Sequence, residues 1–295
     1  MALELTNVGN MTLQKEDEKK EEKFVLDGTY KRVTALPSNF LAYPKDVEIY
    51  FKPLTTGEIE RLNESELSLT LKIESDMNSI FVKGMDKYDL TKDDYAYIAL
   101  MRKLYSQDEV LGVLNYRCEE CQNMNRVEFN LKELEFTFPE VVKAPALIEV
   151  GGYWLKIGFM TVKGMLELAK LQETKSLQPS DTYAMMVQGV GTGLDINSIT
   201  WREKTFDEIV KIIESAWGEE IEVLSTVDTM LYHGIKPMEV TCTQTPIQMV
   251  DSETQEVVES KVCGHKQMED LGDIFALIFP QRRDRNYLRS KIFTL

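Results

Sequence analysis

The sequence predicts an α+β protein in which strands and helices mix without regular βαβ alternation. Three observations predict it. Capping patterns open helices at Thr55, Thr91 and Thr205; alternating, strand-like runs lie between those helices; and the four cysteines fall into two pairs. The full expectation is two strand–turn–helix units joined by a structural zinc site that carries a β-hairpin.

The order along the chain justifies each element. Residues 14–23, QKEDEKKEEK, hold mixed charge and no apolar position, so nothing there can be buried, and residues 1–34 read as a flexible acidic N-terminal arm. VEIYFK, residues 47–52, has strand composition, and Thr55 with Glu58 forms a capping box that opens a helix. Thr91 with Asp94 does the same before DYAYIALMRKLYS, where Ile98, Met101 and Tyr105 recur at helical spacing. A unit over residues 35–145 ends in a Cys-x-x-Cys knuckle and the alternating run RVEFNL. The knuckle is read as following a helix and preceding a strand. A second unit, residues 146–280, opens on YWLKIGF. GVGTG, residues 189–193, lacks the Lys-Ser/Thr and the glycine spacing of a phosphate loop and is read as a flexible loop. Thr205 with Glu208 opens a helix carrying Ile209, Ile212, Ile213 and Trp217, with Gly218 as its stop. A further helix is predicted from about Glu219 to His233, closed by Gly234 and Pro237. EIYFKPLTTGEIERL and WLKIGFMTVKGMLEL share a strand–Thr–Gly–helix order, which is consistent with a degenerate two-fold repeat or with two ordinary units.

Composition excludes several function classes. The chain has 295 residues, 43% of them hydrophobic, and a net charge of -15. That acidity argues against broad contact with a phosphate backbone. No apolar run approaches the roughly 18 residues of a membrane span, and no signal peptide is visible, so a soluble protein made in a cytoplasm is expected.

Four cysteines are too few for a disulfide scaffold, and in a reducing compartment clustered cysteines are more often metal ligands. Cys118 and Cys121 form one pair. Cys242 and Cys263 form the other, and the segment between them alternates, turns at Asp251 to Thr254 and alternates again. A hairpin there returns Cys263 to Cys242. The predicted ligand set is Cys118, Cys121, Cys242 and Cys263 around one structural Zn2+, with His265 of the CGH run as an alternate ligand. Catalytic residues are not expected. HExxH, Gly-x-Ser-x-Gly and P-loop motifs are absent, the only histidines are His233 and His265, and Glu119 and Glu120 sit where knuckle side chains point to solvent.

The succession LPSNFLAYP, VEIYFKPLTTGEIERL, DDYAYIALMRKLYS and YRCEECQNMNRVEFNLKEL resembles the baseplate hub and hub-assembly proteins of T4-type contractile-tailed bacteriophages, over residues 36–134. Arg102, Cys118 and Cys121 fall where that family places an Arg and a knuckle. The family often has glycines near the positions of Asn39 and Gln122, and this chain departs there. The resemblance implies a non-enzymatic structural or assembly role at the hub of a phage tail. It also implies other tail proteins as partners, an oligomeric state set by the assembly, no membrane contact, and residence in the host cytoplasm and then in the virion baseplate. A zinc-ribbon adaptor for nucleic acid is the alternative, and a zinc hydrolase a more distant one. Residues 281–295 carry Arg282, Arg283, Arg285, Arg289 and Lys291 against Asp284 alone, a reversal of sign expected of a basic docking tail. The same charges also suit a helix end or the chain's own acidic surface.

Overall fold

The computed structural model describes residues 28–62, 68–106, 111–139, 145–244, 248–250, 257–260 and 262–269. The predicted acidic lead-in, the turn at residues 251–254 and the basic tail lie outside them.

The first body is a three-stranded antiparallel sheet in the order β1 (Lys31–Arg32), β2 (Glu48–Phe51), β3 (Ile80–Lys83). Strand β2 alternates as its composition requires, with Ile49 and Phe51 buried. Helices α1 (Thr56–Leu62) and α2 (Leu69–Met77) fill the β2–β3 connection. The capping box is present: Glu58 Oε2 accepts from the Thr55 amide at 2.7 Å, and Thr55 Oγ1 accepts from the Glu58 amide at 3.3 Å. Helix α3 (Lys92–Leu104) begins where Thr91 Oγ1 accepts from the Asp94 amide at 3.2 Å. It buries Tyr95, Ile98, Ala99 and Arg102. Tyr105, predicted to share that face, is the C-cap residue and is more than half exposed.

The hairpin β4 (Leu111–Arg117) and β5 (Met124–Asn130) follows. The Cys-x-x-Cys segment is the turn of this hairpin, which corrects the reading that placed it directly after a helix. Next comes a four-stranded antiparallel sheet in the order β6 (Ala146–Val150), β7 (Tyr153–Ile157), β8 (Val187–Thr192), β9 (Thr200–Arg202). Helices α4 (Val162–Gln172) and α5 (Pro179–Met186) connect β7 to β8. Each of the two similar segments gives a strand, then a threonine, then a helix: β2, Thr55, α1 and β7, Thr161, α4.

Gly189 and Gly191 of the GVGTG run lie in β8 and not in a loop. Their lack of side chains has a packing reason: a Cβ on Gly191 would collide with Ile199 Cγ2 and would also meet Trp201 of β9 and the Thr200 carbonyl oxygen, each at 3.2 Å. The glycines make room for an aromatic ring on the neighbouring strand.

Helix α6 (Phe206–Glu214) ends earlier than predicted. Ser215 closes it, its amide and hydroxyl both donating to the Ile212 carbonyl. Trp217 is therefore off the helix and 82% exposed, and Gly218 opens α7 (Gly218–Leu231) instead of ending α6. Strand β10 (Met238–Thr241) pairs with β13 (Lys266–Glu269), and between them β11 (Gln248–Val250) pairs with β12 (Val257–Ser260). The hairpin read between Cys242 and Cys263 is formed by β11 and β12.

Two apolar clusters hold the chain together. One joins the first sheet, α2 and α3 to Val162 and Leu166 of α4 and to Ile235 and Val240. The other joins the four-stranded sheet to α5, α6 and α7.

Candidate metal centre

Local backbone geometry brings each cysteine to the same point. In the β4–β5 turn the Gln122 amide donates to the Cys118 carbonyl at 2.9 Å and the Cys118 amide to the Asn123 carbonyl at 3.0 Å. Closing this turn puts Gln122 at φ 59°, a left-handed conformation that glycine adopts at no steric cost. The second turn is built similarly. The Gly264 amide donates to the Cys242 carbonyl at 3.1 Å, the Cys242 amide to the His265 carbonyl at 2.8 Å, and Gly264 has φ 65°.

The two turns then face each other. The Glu119 amide donates to Gln267 Oε1 at 2.9 Å, Gln267 Nε2 to the Arg117 carbonyl at 3.1 Å, and the Thr243 amide to Asn125 Oδ1 at 3.1 Å. Asn125 and Gln267 are buried. Sequence reasoning missed both; a lone amide within a strand carries no spacing signal.

As a result, the Sγ atoms of Cys118, Cys121, Cys242 and Cys263 all lie within 4.8 Å of one another. Cys118 Sγ is 3.8 Å from Cys263 Sγ, and Cys121 Sγ is 3.6 Å from Cys242 Sγ. These separations are far too long for a disulfide, whose bond is about 2.05 Å. They match the edges of a zinc–thiolate tetrahedron, which are about 3.8 Å for Zn–S bonds of about 2.3 Å. The electrostatics also favour a cation. The His265 amide favours the Cys263 thiolate, but burial and the three neighbouring sulfurs push that thiol up to about 12. Burial disfavours the Cys242 thiolate too, yet the Gln244 backbone and the Asn125 side chain outweigh it and bring the thiol down to about 7. Four thiolates this close repel one another unless a positive ion sits among them. The donor set therefore fits a structural zinc ion.

The other predicted residues are also placed. Glu119 and Glu120 are exposed on the turn. His265 gives its carbonyl to Cys242, and among the described residues the grouped metal-capable side chains are the four cysteines. His233 is buried elsewhere, its Nε2 2.8 Å from Thr91 Oγ1 and its Nδ1 2.8 Å from the Leu231 carbonyl. The LPSNFLAYP run serves that second polar node. Asp94 accepts from the Ser38 amide at 2.9 Å, from the Ser38 hydroxyl, and from Tyr43 Oη at 2.6 Å. To present these groups the run turns through two left-handed residues, Asn39 at φ 55° and Phe40 at φ 60°.

A family model described as T4 bacteriophage base plate protein matches residues 29–276, most of the chain and both cysteine pairs. The chain belongs to the T4 bacteriophage base plate protein family. Comparison with curated proteins and with solved structures gives no match. Membership makes this baseplate protein a structural component of a phage tail, working among other tail proteins. Asn39 and Gln122, near which the sequence resemblance leads one to expect glycines, are both left-handed in the structure. Among the described residues, no helix of the baseplate protein is long and apolar enough to cross a membrane.

Proposed function

We propose that this baseplate protein is a zinc-stapled, non-enzymatic component of the baseplate hub, or a factor that assembles it, acting through protein–protein contacts. The observation that carries the reading is the cluster of four sulfurs drawn from two distant parts of the chain. Cys118, Cys121, Cys242 and Cys263 are the ligands, and one zinc ion per chain ties the unit of residues 35–145 to the unit of residues 146–280. A closed set of four thiolates leaves no position for a reacting water, so the metal contributes folding energy and not chemistry. Residues 1–34 form an arm. Residues 281–295 form a docking tail whose basic and aromatic residues suit an acidic patch on a neighbouring tail protein.

The test is elemental analysis of protein purified without chelators, paired with assembly of the hub from its co-expressed tail proteins. One zinc per chain is expected, lost on Cys242→Ser, with hub assembly lost in parallel. A metal content well below one per chain overturns the staple. Zinc retained in Cys242→Ser and lost in His265→Ala overturns the ligand set. Normal hubs formed without this protein overturn the hub role.

A further inference from the structure

Helix α7 is held to the molecule by a narrow stripe. Of its residues Gly218–Leu231, only Leu224, Val227 and Leu231 are buried. A helix packed on a core ordinarily buries a stripe at least 100° wide. The remaining surface of α7 is apolar and acidic together. Trp217 is 82% exposed and Ile221 52%, Val223 is also exposed, and Glu219, Glu222 and Asp228 stand exposed among them. The helix contains no lysine or arginine. Val223 lies on the opposite side of the helix from Ile221, so the face that calls for a cover is Trp217 and Ile221 with Glu219, Glu222 and Asp228 exposed beside them.

The chain itself supplies a cover of matching chemistry. Residues 281–295 combine Arg282, Arg283, Arg285, Arg289 and Lys291 with Tyr287, Leu288, Ile292 and Phe293. The path to α7 is short. The last described residue, Glu269, is paired with Met238 in the β10–β13 ladder, and Met238 is seven residues after Leu231, the last residue of α7. Residues 270–280 span up to roughly 36 Å, whereas α7 is about 21 Å long. We infer that residues 281–295 dock on the exposed face of α7 in the same chain, with basic groups on Glu219, Glu222 and Asp228 and apolar groups over Trp217 and Ile221. Guanidinium groups also bind the face of an indole ring. The segment is tethered, so its effective concentration is in the millimolar range, and a weak intrinsic affinity suffices to keep it docked. Helix α7 then holds the tail until the acidic surface of a partner replaces it.

This inference rests on the reading of residues 281–295 as a docking segment. Amide hydrogen exchange over residues 218–231 tests it in the full-length chain, in a chain ending at residue 280, and in full-length Glu219→Lys/Glu222→Lys. At an effective concentration of about 1 mM and an intrinsic Kd of about 0.1 mM, exchange through helix opening is slowed about tenfold in the full-length chain relative to both variants. A synthetic peptide of residues 281–295 restores the slow exchange to the shortened chain. The double variant keeps the tail, so the result does not depend on how well the truncation folds. Equal exchange in all three proteins overturns the inference. So does protection that depends on protein concentration and accompanies a doubled mass in light scattering, because the occupant is then a second copy. If truncation blocks hub assembly while α7 exchange is unchanged, the docking reading stands and this inference falls. If truncation speeds α7 exchange while hubs form normally, the reverse holds.

Discussion

Arg102→Met is expected to destabilise the fold by about 3–5 kcal/mol at pH 8, and by less at pH 5. Arg102 is fully buried on α3 and ties three elements together. Its Nε donates to the Lys52 carbonyl at 2.7 Å and its Nη2 to Glu58 Oε1 at 3.3 Å, while Nη1 engages the Asp76 carboxylate and the Asp76 carbonyl at 3.2 Å. Methionine retains much of the apolar stem, so the main loss is the charge. Glu58 is about a third exposed, with 32% of its side chain accessible, and its pairing contributes less than about 1 kcal/mol. Asp76 is different, because its carboxylate is 1% exposed and loses its cation. Breaking a buried pair costs about 3–5 kcal/mol, a large part of a typical total of 5–15 kcal/mol. Burial raises the Asp76 pKa above its ordinary value even against the attraction of Arg102. Without Arg102 it rises further. A carboxyl whose folded pKa lies above its unfolded value binds its proton more tightly when folded. The stability it contributes is therefore present at low pH and is lost as pH climbs from the unfolded value through the folded one. Denaturant unfolding at the two pH values measures both effects, and Asp76→Asn in the Arg102→Met background is expected to recover part of the loss. A loss below about 1 kcal/mol at pH 8, or the same loss at both pH values, refutes the argument.

Four further outcomes are expected. A strong chelator lowers the melting temperature of the zinc-loaded protein and added zinc restores it, because a structural site contributes folding energy; an unchanged melting curve excludes a metal staple. Gln122→Val costs about 1–2 kcal/mol by forcing a β-branched residue to φ 59°, whereas Gln122→Gly stays within about 0.5 kcal/mol of the parent, both read from denaturant unfolding. Tyr43→Phe removes the 2.6 Å donor to buried Asp94 and costs about 1–3 kcal/mol in the same assay. Gly191→Ala sets a methyl group into Ile199 and against Trp201 and Thr200 and costs about 1–3 kcal/mol, with selective loss of amide protection across β8 and β9.

The parts of the fold legible in the sequence are those whose cause is local. Thr55, Thr91 and Thr205 each cap a helix because a hydroxyl three residues from an amide meets it whatever surrounds the turn. The cysteine cluster was legible because thiols in pairs have few other uses in a reducing compartment. What failed carried no clear local signal. Gly189 and Gly191 read as a loop because the Trp201 ring that requires them belongs to another strand. Trp217 read as part of α6 because its spacing continued that helix, and nothing local showed that Ser215 ends the helix three residues after Ile212. The hairpin around the first knuckle was lost because β4 carries Gly112 near its start and Asn115 in its middle and its residue types alternate weakly.

The polar node around Thr91 and Asp94 joins the two halves of the baseplate protein at a place separate from the four cysteines. Asp94 is completely buried and holds three donors from Ser38 and Tyr43. Thr91, one turn before it, meets His233, which lies between α7 and β10. The Lys92 amide donates to the Met160 carbonyl at 2.7 Å and the Val162 amide to the Leu90 carbonyl at 2.8 Å, so the starts of α3 and α4 are laced together as well. The four cysteines form a second junction between the same two stretches of chain, through β4–β5 and β10–β13. A third junction lies just before β10, where the Thr137 amide donates to the Gly234 carbonyl and the Lys236 amide to the Glu135 carbonyl, both at 2.9 Å. Loss of the metal should therefore loosen the β10–β13 ladder while leaving the contact between α3 and α4 intact, a graded response that amide exchange resolves element by element.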